Sequence, residues 1–287
     1  MVNKYVSGAA TFVAALALIV GISAGNAGAE IRLGILPRLN AVEMYTMFKP
    51  LADYLAEESG EKTTLVIPKD FDAFQAMFKS GQLDIGFANP LIYVQLGQDA
   101  PVEPLALAAE KKAGTKFRGI IIARKDSGIE RLQDLKGRKL AFVEKNSAAG
   151  YIFQMMLLQT AGLDIHRDFT LLPFVKTHAN VALAIFNRVA DAGGIREDDF
   201  DKMRGRMDIT QLKIVGYTDY FPNWPMFAGP TLNKDAAARV KTALLKLRRH
   251  GPRTAAILGP AALAGFTPVS DSDYDQLRQA ARLVGAL

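Results

Sequence analysis

A short run of small and polar residues, Asn146-Ser147-Ala148-Ala149-Gly150, has the composition of an anion-binding turn. It follows an apolar strand predicted over 140–143 and precedes a helix predicted over 151–160. Asn146 or Ser147 is a good helix N-cap, and the small residues after them would let a ligand reach the first N–H groups. These N–H groups and the positive end of the helix dipole attract anions. An ordinary strand-to-helix connection has the same local pattern, so both interpretations stay open.

Further polar candidates lie near the ends of other predicted elements. Arg38 follows the first predicted strand, and arginine recognises oxyanions through paired N–H groups, although a solvated loop arginine would fit the same position. Asn89 ends a third predicted strand and Tyr93 lies on the following helix, where we expect both to contact a ligand. An Asn-Pro break is also ordinary turn chemistry. His178 precedes a helix, so it would either donate to an anion or cap that helix.

Two aromatic residues, Tyr151 and Trp224, have two interpretations. They would form an aromatic wall beside an apolar or cyclic ligand, or they would pack at a hinge between domains. The methionine and phenylalanine side chains over 44–48 follow a helical spacing and are predicted to lie in the core.

The sequence lacks the residue combinations that are typical of catalysis. Its three histidines, His166, His178 and His250, are far apart and it has no cysteine, so neither a zinc site nor a disulfide is indicated. The phosphate-cradling P-loop and the GxSxG nucleophile motif are also absent. We therefore predict a protein that is not an enzyme and uses neither a cofactor nor a metal ion. An enzyme on the same fold is the less favoured hypothesis, because a fold does not fix a function.

The N-terminal residues predict export. A mostly apolar run over 9–22 follows Lys4, and Ala27-Gly28-Ala29 matches a signal-peptide cleavage site, so 1–29 is predicted to be a signal peptide cleaved near Ala29-Glu30. The run is shorter than the roughly 20 residues that span a membrane, although an uncleaved anchor is the alternative. The formal charge of +6 suits an anionic partner, but lysine and arginine are scattered. We expect no nucleic-acid partner and no stable membrane insertion.

The predicted elements indicate an α/β fold in two lobes. Strands and helices alternate over 31–123, which favours a mostly parallel sheet covered by helices, and the pattern restarts after 128. We predict one lobe from 30–120 together with 215–287 and a second lobe from 121–214. The strands that join them are expected near 117–123 and 214–217. Ligands of such sheets bind at the carboxyl ends of strands and at domain interfaces.

Three motifs follow one another along the chain: Lys49-Pro50-Leu51-Ala52-Asp53-Tyr54-Leu55, then Gly81-Gln82-Leu83-Asp84-Ile85-Gly86-Phe87-Ala88-Asn89-Pro90, then Asp134-Leu135-Lys136-Gly137 leading to 146–150. With His178 downstream, they resemble the phosphate-, phosphite- and phosphonate-binding family of periplasmic substrate-binding proteins. The resemblance covers nearly the whole chain after 1–29. It implies the class II periplasmic binding protein fold, with two lobes, each a mostly parallel sheet flanked by helices, and a ligand cleft between them.

The resemblance also implies roles for individual residues. The family binds its oxyanion at a Ser-Thr-Ser-Gly helix start, opposite a histidine with an acidic neighbour. By position, Ser147 keeps a hydroxyl, whereas Ala148 and Ala149 replace two others. His178 matches the histidine, but Ala179 replaces its acidic neighbour. By position, Trp224 falls near a residue that is a second carboxylate in some members of the family. The pattern supports anion binding better than it supports phosphonate in particular, and a larger or more apolar ligand fits it too.

We therefore expect a periplasmic, monomeric solute-binding protein that closes its lobes around a small phosphonate-, phosphate- or phosphite-like ligand. Its expected partner is an ABC permease in the inner membrane. An alternative is a periplasmic sensing module for a membrane sensor kinase or chemoreceptor, with a larger or non-phosphonate ligand. The expected ligand contacts are Arg38, Asn89, Tyr93, Asn146, Ser147, Ala148, Ala149, Gly150, Tyr151, His178 and Trp224.

Overall fold

The computed structural model describes residues 30–165, 167–247 and 251–287. The predicted signal peptide over 1–29, His166, His250 and the end of the helix predicted over 234–249 lie outside these ranges. Within the described ranges, no helix is both long and apolar enough to cross a membrane.

Strands and helices alternate along most of the described chain. The strands are β1 (Ile31–Ile35), β2 (Thr63–Val66), β3 (Ile85–Phe87), β4 (Glu103–Glu110), β5 (Lys116–Phe117), β6 (Gly119–Arg124), β7 (Lys139–Ala141), β8 (Thr170–Leu171), β9 (Ala192–Arg196), β10 (Leu212–Tyr217), β11 (Phe221–Pro222), β12 (Pro225–Ala228) and β13 (Leu263–Thr267). The α-helices are α1 (Ala41–Ser59), α2 (Phe71–Lys79), α3 (Pro90–Asp99), α4 (Phe153–Thr160), α5 (His178–Phe186), α6 (Glu197–Phe200), α7 (Lys234–Lys246), α8 (Pro252–Leu258) and α9 (Asp275–Leu283).

The first sheet has the strand order β13-β4-β12-β3-β1-β2. Strand β1 pairs in parallel with β2 and β3, whereas β12 lies antiparallel between β3 and β4, and β13 is antiparallel to β4. The returning C-terminal segment supplies β12 and β13, the strands that make these antiparallel pairs. Strands β1, β3 and β4 therefore point the same way and end at the same edge of the sheet.

The second sheet has the strand order β10-β6-β9-β7-β8. Strand β7 is parallel to β8 and β9, and β6 is antiparallel to β9 and β10. The strands β6 and β10, which overlap the expected joining strands, belong to this sheet and pair with each other. The chain crosses between the sheets just outside them, where β5 and β11 form a short antiparallel ribbon.

The helix termini follow from local sequence. Helix α1 ends at Gly60, which adopts φ 72°, a left-handed conformation that glycine tolerates because it has no Cβ. Helix α1 is continuous from Ala41 to Ser59 although it contains Pro50. Helix α3 begins with Asn89 as its cap and Pro90 in its first turn, a favourable combination because proline lacks the N–H that this position would leave unbonded.

The two lobes share part of their apolar core. The start of the helix after β7 belongs to the second lobe, yet Ala149 and Phe153 are buried in the same cluster as Phe117 and Phe221 at the crossing. The rings of Phe153 and Phe221 have centroids 4.2 Å apart. This packing brings the edge of one sheet against the edge of the other, with the two lobes in contact.

Candidate functional site

The candidate residues meet where the strand ends of the two sheets face each other. Arg38 follows β1, Asn89 follows β3 and Glu110 ends β4, so all three come from one edge of the first sheet. The turn over Ala148–Ile152 follows β7 and Arg196 ends β9, which places them at one edge of the second sheet. Carboxyl ends of parallel strands are the usual ligand-binding edge of α/β sheets.

The helix after β7 begins with a π-type turn, Ala148–Ile152, rather than with an α turn. Its first hydrogen bond runs from the N–H of Ile152 to the carbonyl of Ser147 at 3.1 Å. The N–H groups of residues 148–151 precede that bond, so they have no partner within the turn. Ser147 was one of the two predicted N-caps, but its hydroxyl makes no capping hydrogen bond in the described structure. The turn therefore keeps both its backbone donors and a serine hydroxyl for a ligand.

Gly150 lets this turn pack closely against β7. A Cβ atom at Gly150 would lie 2.5 Å from Cγ2 of Val143 and 2.7 Å from Oγ of Ser147. The N–H of Val143 donates to the carbonyl of Gly150 at 3.1 Å, and the carbonyl of Val143 accepts the N–H of Lys176 at 2.9 Å. Val143 thus holds the turn beside the segment that leads to His178.

His178 is the first residue of α5, and the side chain of Thr177 caps this helix. Its Nδ1 accepts the backbone N–H of Arg196 at 3.1 Å, so the proton of the neutral ring is on Nε2. Burial lowers the pKa of His178, although the nearby Asp199 opposes this effect. His178 is therefore a neutral donor through Nε2, which lies 3.7 Å from Oδ2 of Asp199.

Arg196 joins the two sheets. Its side chain is 6% exposed, and its NH1 and NH2 atoms donate to the two carboxylate oxygens of Glu110 at 3.0 and 2.6 Å. Its Nε donates to Asp198 at 3.3 Å, and its guanidinium lies 4.6 Å from the ring centroid of Phe117. The positive charge of Arg196 is thus already paired with two carboxylates inside the protein.

Arg38 enters the cleft from the first sheet and lies over Trp224. Its guanidinium carbon is 5.2 Å from the centroid of that ring, and its NH1 is 3.9 Å from Oε1 of Glu110. Burial lowers the pKa of Arg38, whereas Glu110 opposes the shift. Trp224 is buried and packs against Phe87 at 5.5 Å between centroids. Trp224 therefore supports an arginine through a cation–π contact rather than forming a free aromatic wall.

Asn89 and Asn146 contact each other across the cleft. Oδ1 of Asn89 accepts the N–H groups of Leu91 and Ile92 at 2.9 and 3.1 Å, which makes Asn89 the cap of α3. Its Nδ2 donates to the carbonyl of Asn146 at 3.2 Å, and Gln95 donates to Oδ1 of Asn146 at 3.3 Å. These polar groups are occupied by contacts between the lobes, so we assign them to lobe contact rather than to ligand contact.

Two expected contacts, Tyr93 and Tyr151, pack into the protein. Tyr93 is fully buried in the first lobe and its hydroxyl donates to the exposed residue Asp271, so we exclude Tyr93 from the proposed site. The ring of Tyr151 packs edge-on against Phe142 and Phe174, each at 5.3 Å between centroids. This contact fits the packing interpretation of Tyr151, and we exclude it as well.

Sequence reasoning missed three residues of this site: Glu110, Arg196 and Asp199. Asp199 supplies the carboxylate beside His178 that Ala179 lacks, although it comes from α6 rather than from α5. Burial alone would raise the pKa of Asp199, but its interactions with His178 and Lys202 lower it to about 2. Arg196 and Glu110 each end a largely buried strand, and applying the strand-end rule to every strand would have found both.

Metal binding has no support in the described part of the chain, where no group of three or more His, Cys, Asp or Glu side chains is arranged around a common point.

Comparison with known proteins identifies one family. The family model described as the periplasmic substrate-binding protein of phosphonate ABC transporters matches residues 33–274. The phosphate-import protein PhnD of Mycolicibacterium smegmatis is 26% identical over 277 residues, covering 89% of this chain and 86% of PhnD. The tetrathionate sensor histidine kinase TtrS of Salmonella typhimurium is 27% identical over 230 residues, covering 74% of this chain. The match spans 38% of the kinase's length.

A solved structure supports the fold. PhnD1 from Prochlorococcus marinus in complex with methylphosphonate superposes with a TM-score of 0.77, at 16% identity, over 90% of this chain and 99% of PhnD1. The prediction of a two-lobe α/β periplasmic binding fold is therefore confirmed.

Proposed function

The chain belongs to the family of periplasmic substrate-binding proteins of phosphonate ABC transporters, and from that premise we propose that its cleft binds a small oxyanion-bearing ligand. As a member of this family, it is a solute-binding protein of an ABC importer, with a small ligand and a permease as its partners. Phosphate import and methylphosphonate binding, known for the relatives, set the range of ligands to test.

One observation carries the proposed ligand chemistry, namely the π turn over Ala148–Ile152. The N–H groups of residues 148–151 have no partner within the turn, and they lie at the positive end of a helix that continues through α4. The hydroxyl of Ser147 and Nε2 of His178 add two neutral donors. A tetrahedral or trigonal oxyanion has the acceptor oxygens that such donors need.

The contacts between the lobes support capture by closure. Arg196 binds Glu110 and Asn89 binds Asn146 from opposite edges of the cleft. A ligand that enters between the edges would be enclosed when these contacts form, and the closed form would be presented to the permease. The lobes in this proposal are 30–120 with 215–287, and 121–214.

The proposal also includes finer features of the protein. We take the protein to be a periplasmic monomer whose signal peptide is cleaved near Ala29-Glu30, and to bind its ligand without chemical change. An activated serine nucleophile needs an adjacent base. The Ser147 hydroxyl has no partner within the turn, which supports a role in ligand binding rather than in catalysis.

A sensing role is the second candidate, and the similarity to TtrS favours it. The same cleft would then report ligand occupancy to a membrane kinase rather than deliver the ligand to a permease. Experiments in cells that lack this protein distinguish transport from sensing. Loss of uptake of a radiolabelled ligand would indicate transport, whereas intact uptake with loss of a ligand-dependent transcriptional response would indicate sensing.

The binding site is tested with purified protein and a panel of anions. A thermal-shift screen would include phosphate, phosphite, methylphosphonate, methanesulfonate and benzoate, since a ligand raises the unfolding midpoint by mass action. Calorimetry would then compare wild type with the double variant Ser147→Ala and His178→Ala. Each substitution removes a hydrogen bond to a charged oxygen, worth about 1.5–3 kcal/mol, so affinity should fall by roughly 100-fold or more.

Ser80→Ala is the matched control, because Ser80 is exposed at the end of α2 and away from the strand ends. It should bind like wild type. Unchanged affinity in the double variant would contradict the site, and no response to any anion in the panel would contradict the proposed ligand class.

A further inference from the structure

We infer that the cleft selects singly charged oxyanions over doubly charged ones and that Glu110 sets this preference. The inference rests on the proposed function, because it concerns the ligand of the same cleft.

The charged groups around the cleft do not give it a net positive charge. Among the described residues, the buried or half-buried charged groups that face one another here are two guanidiniums and three carboxylates. They are Arg38, Arg196, Glu110, Asp198 and Asp199. Lys202 also pairs with Asp199, but its side chain is 63% exposed. With His178 neutral, the cluster has a net charge between −1 and 0, so it does not compensate two further negative charges.

Glu110 occupies the arginine face that an anion would otherwise use. It accepts two hydrogen bonds from Arg196 and lies 3.9 Å from Arg38, so one carboxylate stands between both guanidiniums. Its side chain is 14% exposed, which limits exchange with water. Breaking such a buried pair leaves two desolvated charges without partners, a large penalty. An incoming anion therefore meets Arg196 fully paired and Arg38 in a longer ion pair with the same carboxylate.

Apart from Arg38, whose guanidinium makes no hydrogen bond among the described residues and lies 3.9 Å from Glu110, the donors that remain for the ligand are uncharged. They are the N–H groups of residues 148–151, the hydroxyl of Ser147 and Nε2 of His178. Neutral donors and a helix dipole end stabilise one buried negative charge well. A second charge on the same ligand would add repulsion from Glu110 and Asp199, and among the described residues the nearest cation, Arg38, already forms an ion pair with Glu110. The site therefore favours a single charge.

An isosteric pair of ligands tests the preference directly. Methanesulfonate and methylphosphonate have nearly the same shape, but in alkaline buffer the phosphonate carries two charges and the sulfonate carries one. Calorimetric dissociation constants for both are measured with the purified full-length mature protein. Wild type should bind methanesulfonate about tenfold or more tighter than methylphosphonate.

Glu110→Gln removes one negative charge while keeping the size of the side chain. It should shift the ratio of the two dissociation constants towards the phosphonate by about tenfold or more. Glu103→Gln is the matched control, because Glu103 is an exposed residue on the same strand, β4. It changes the net charge equally and should leave the ratio unchanged. If Glu110→Gln fails to fold, Asp198→Asn tests the same charge balance at the other carboxylate of Arg196.

The outcomes separate the two proposals. A wild-type preference for the phosphonate, or an equal ratio in Glu110→Gln and Glu103→Gln, would overturn the charge selection and leave the oxyanion site standing. Binding of neither probe, together with no response in the wider anion panel, would overturn the proposed function itself. A ratio that shifts in Glu110→Gln but not in Glu103→Gln would support the inference.

Discussion

The side-chain amide of Gln154 donates to the carbonyl of Ala149 at 2.8 Å, five residues earlier in the chain. The same nitrogen lies 3.1 Å from the carbonyls of Ile120 on β6 and Ile195 on β9. Gln154 is fully buried, so it ties the π turn to two strands of the second sheet from inside the lobe. We therefore expect the shape of the π turn to depend on Gln154, a buried residue that holds the turn from inside the lobe.

Gln154→Met should weaken oxyanion binding and destabilise the protein. Methionine has a similar volume but donates no hydrogen bond, so three buried carbonyls lose a donor, at a penalty of about 1–3 kcal/mol. We expect about tenfold weaker binding by calorimetry, because the turn is no longer held in place. Urea unfolding measures the loss of stability.

Gln159→Met is the control for this prediction. Gln159 is exposed on the same helix, α4, so the substitution should leave both affinity and stability near wild type. A Gln154→Met protein that is less stable but binds with unchanged affinity would show that Gln154 is structural and does not position the turn.

Gly150→Ala should impair binding through a steric clash. The new methyl group would lie 2.5 Å from Val143 and 2.7 Å from the hydroxyl of Ser147, so the turn or the Val143 side chain must move. Overpacking of this kind costs about 1–3 kcal/mol, and moving Ser147 displaces a proposed donor. Gly205→Ala is the control, because nothing lies within 4 Å of its added Cβ. Equal affinities in the two variants, measured by calorimetry, would refute the packing argument.

The sequence predicted the helix start after β7 because helix-start chemistry is local. Small residues after a strand, followed by an apolar helix, indicate free N–H groups at Ala148 and Ala149 whatever the rest of the fold does. The π geometry was not predictable from the local pattern, because it depends on Gln154, whose three partners lie on separate elements. Its glutamine side chain looked like any other polar residue within an apolar helix.

The opposite wall of the cleft was harder to predict because its contacts are long-range. The pairing of Arg196 with Glu110 joins residues 86 positions apart, and no local pattern encodes it. Asn89 was predicted to bind ligand because it ends a strand, and it does reach the cleft. Its capping role and its contact with Asn146 occupy its amide instead. The position of Asn89 at a strand end thus predicted that it lies at the cleft, but it did not predict what its side chain binds there.

The pH dependence of stability should report on His178. Burial lowers the pKa of His178 in the folded protein below the ordinary histidine value of 6.5. The unfolded chain therefore binds this proton at a higher pH than the folded chain does. The contribution of His178 to the free energy of unfolding is at its full value above about pH 6.5. It falls as the pH drops from there towards the pKa of His178 in the folded protein.

His178→Asn tests this linkage, because the asparagine oxygen can still accept the N–H of Arg196. Urea unfolding across the acidic range should give a shallower decline in stability for the variant than for wild type. Parallel curves for the two proteins would contradict a lowered pKa at His178.

Tyr93→Phe should leave ligand affinity unchanged while lowering stability. Tyr93 is fully buried, its hydroxyl donates to Asp271, and its ring packs against Tyr274 at 4.9 Å between centroids. Removing the hydroxyl deletes one hydrogen bond to a carboxylate that keeps its contact with Arg278, so we expect a loss of about 1 kcal/mol. Calorimetry and urea unfolding are compared with the control Tyr45→Phe, at an exposed position on α1. A tenfold loss of affinity in Tyr93→Phe, with Tyr45→Phe unaffected, would return Tyr93 to the binding site and contradict its placement in the core.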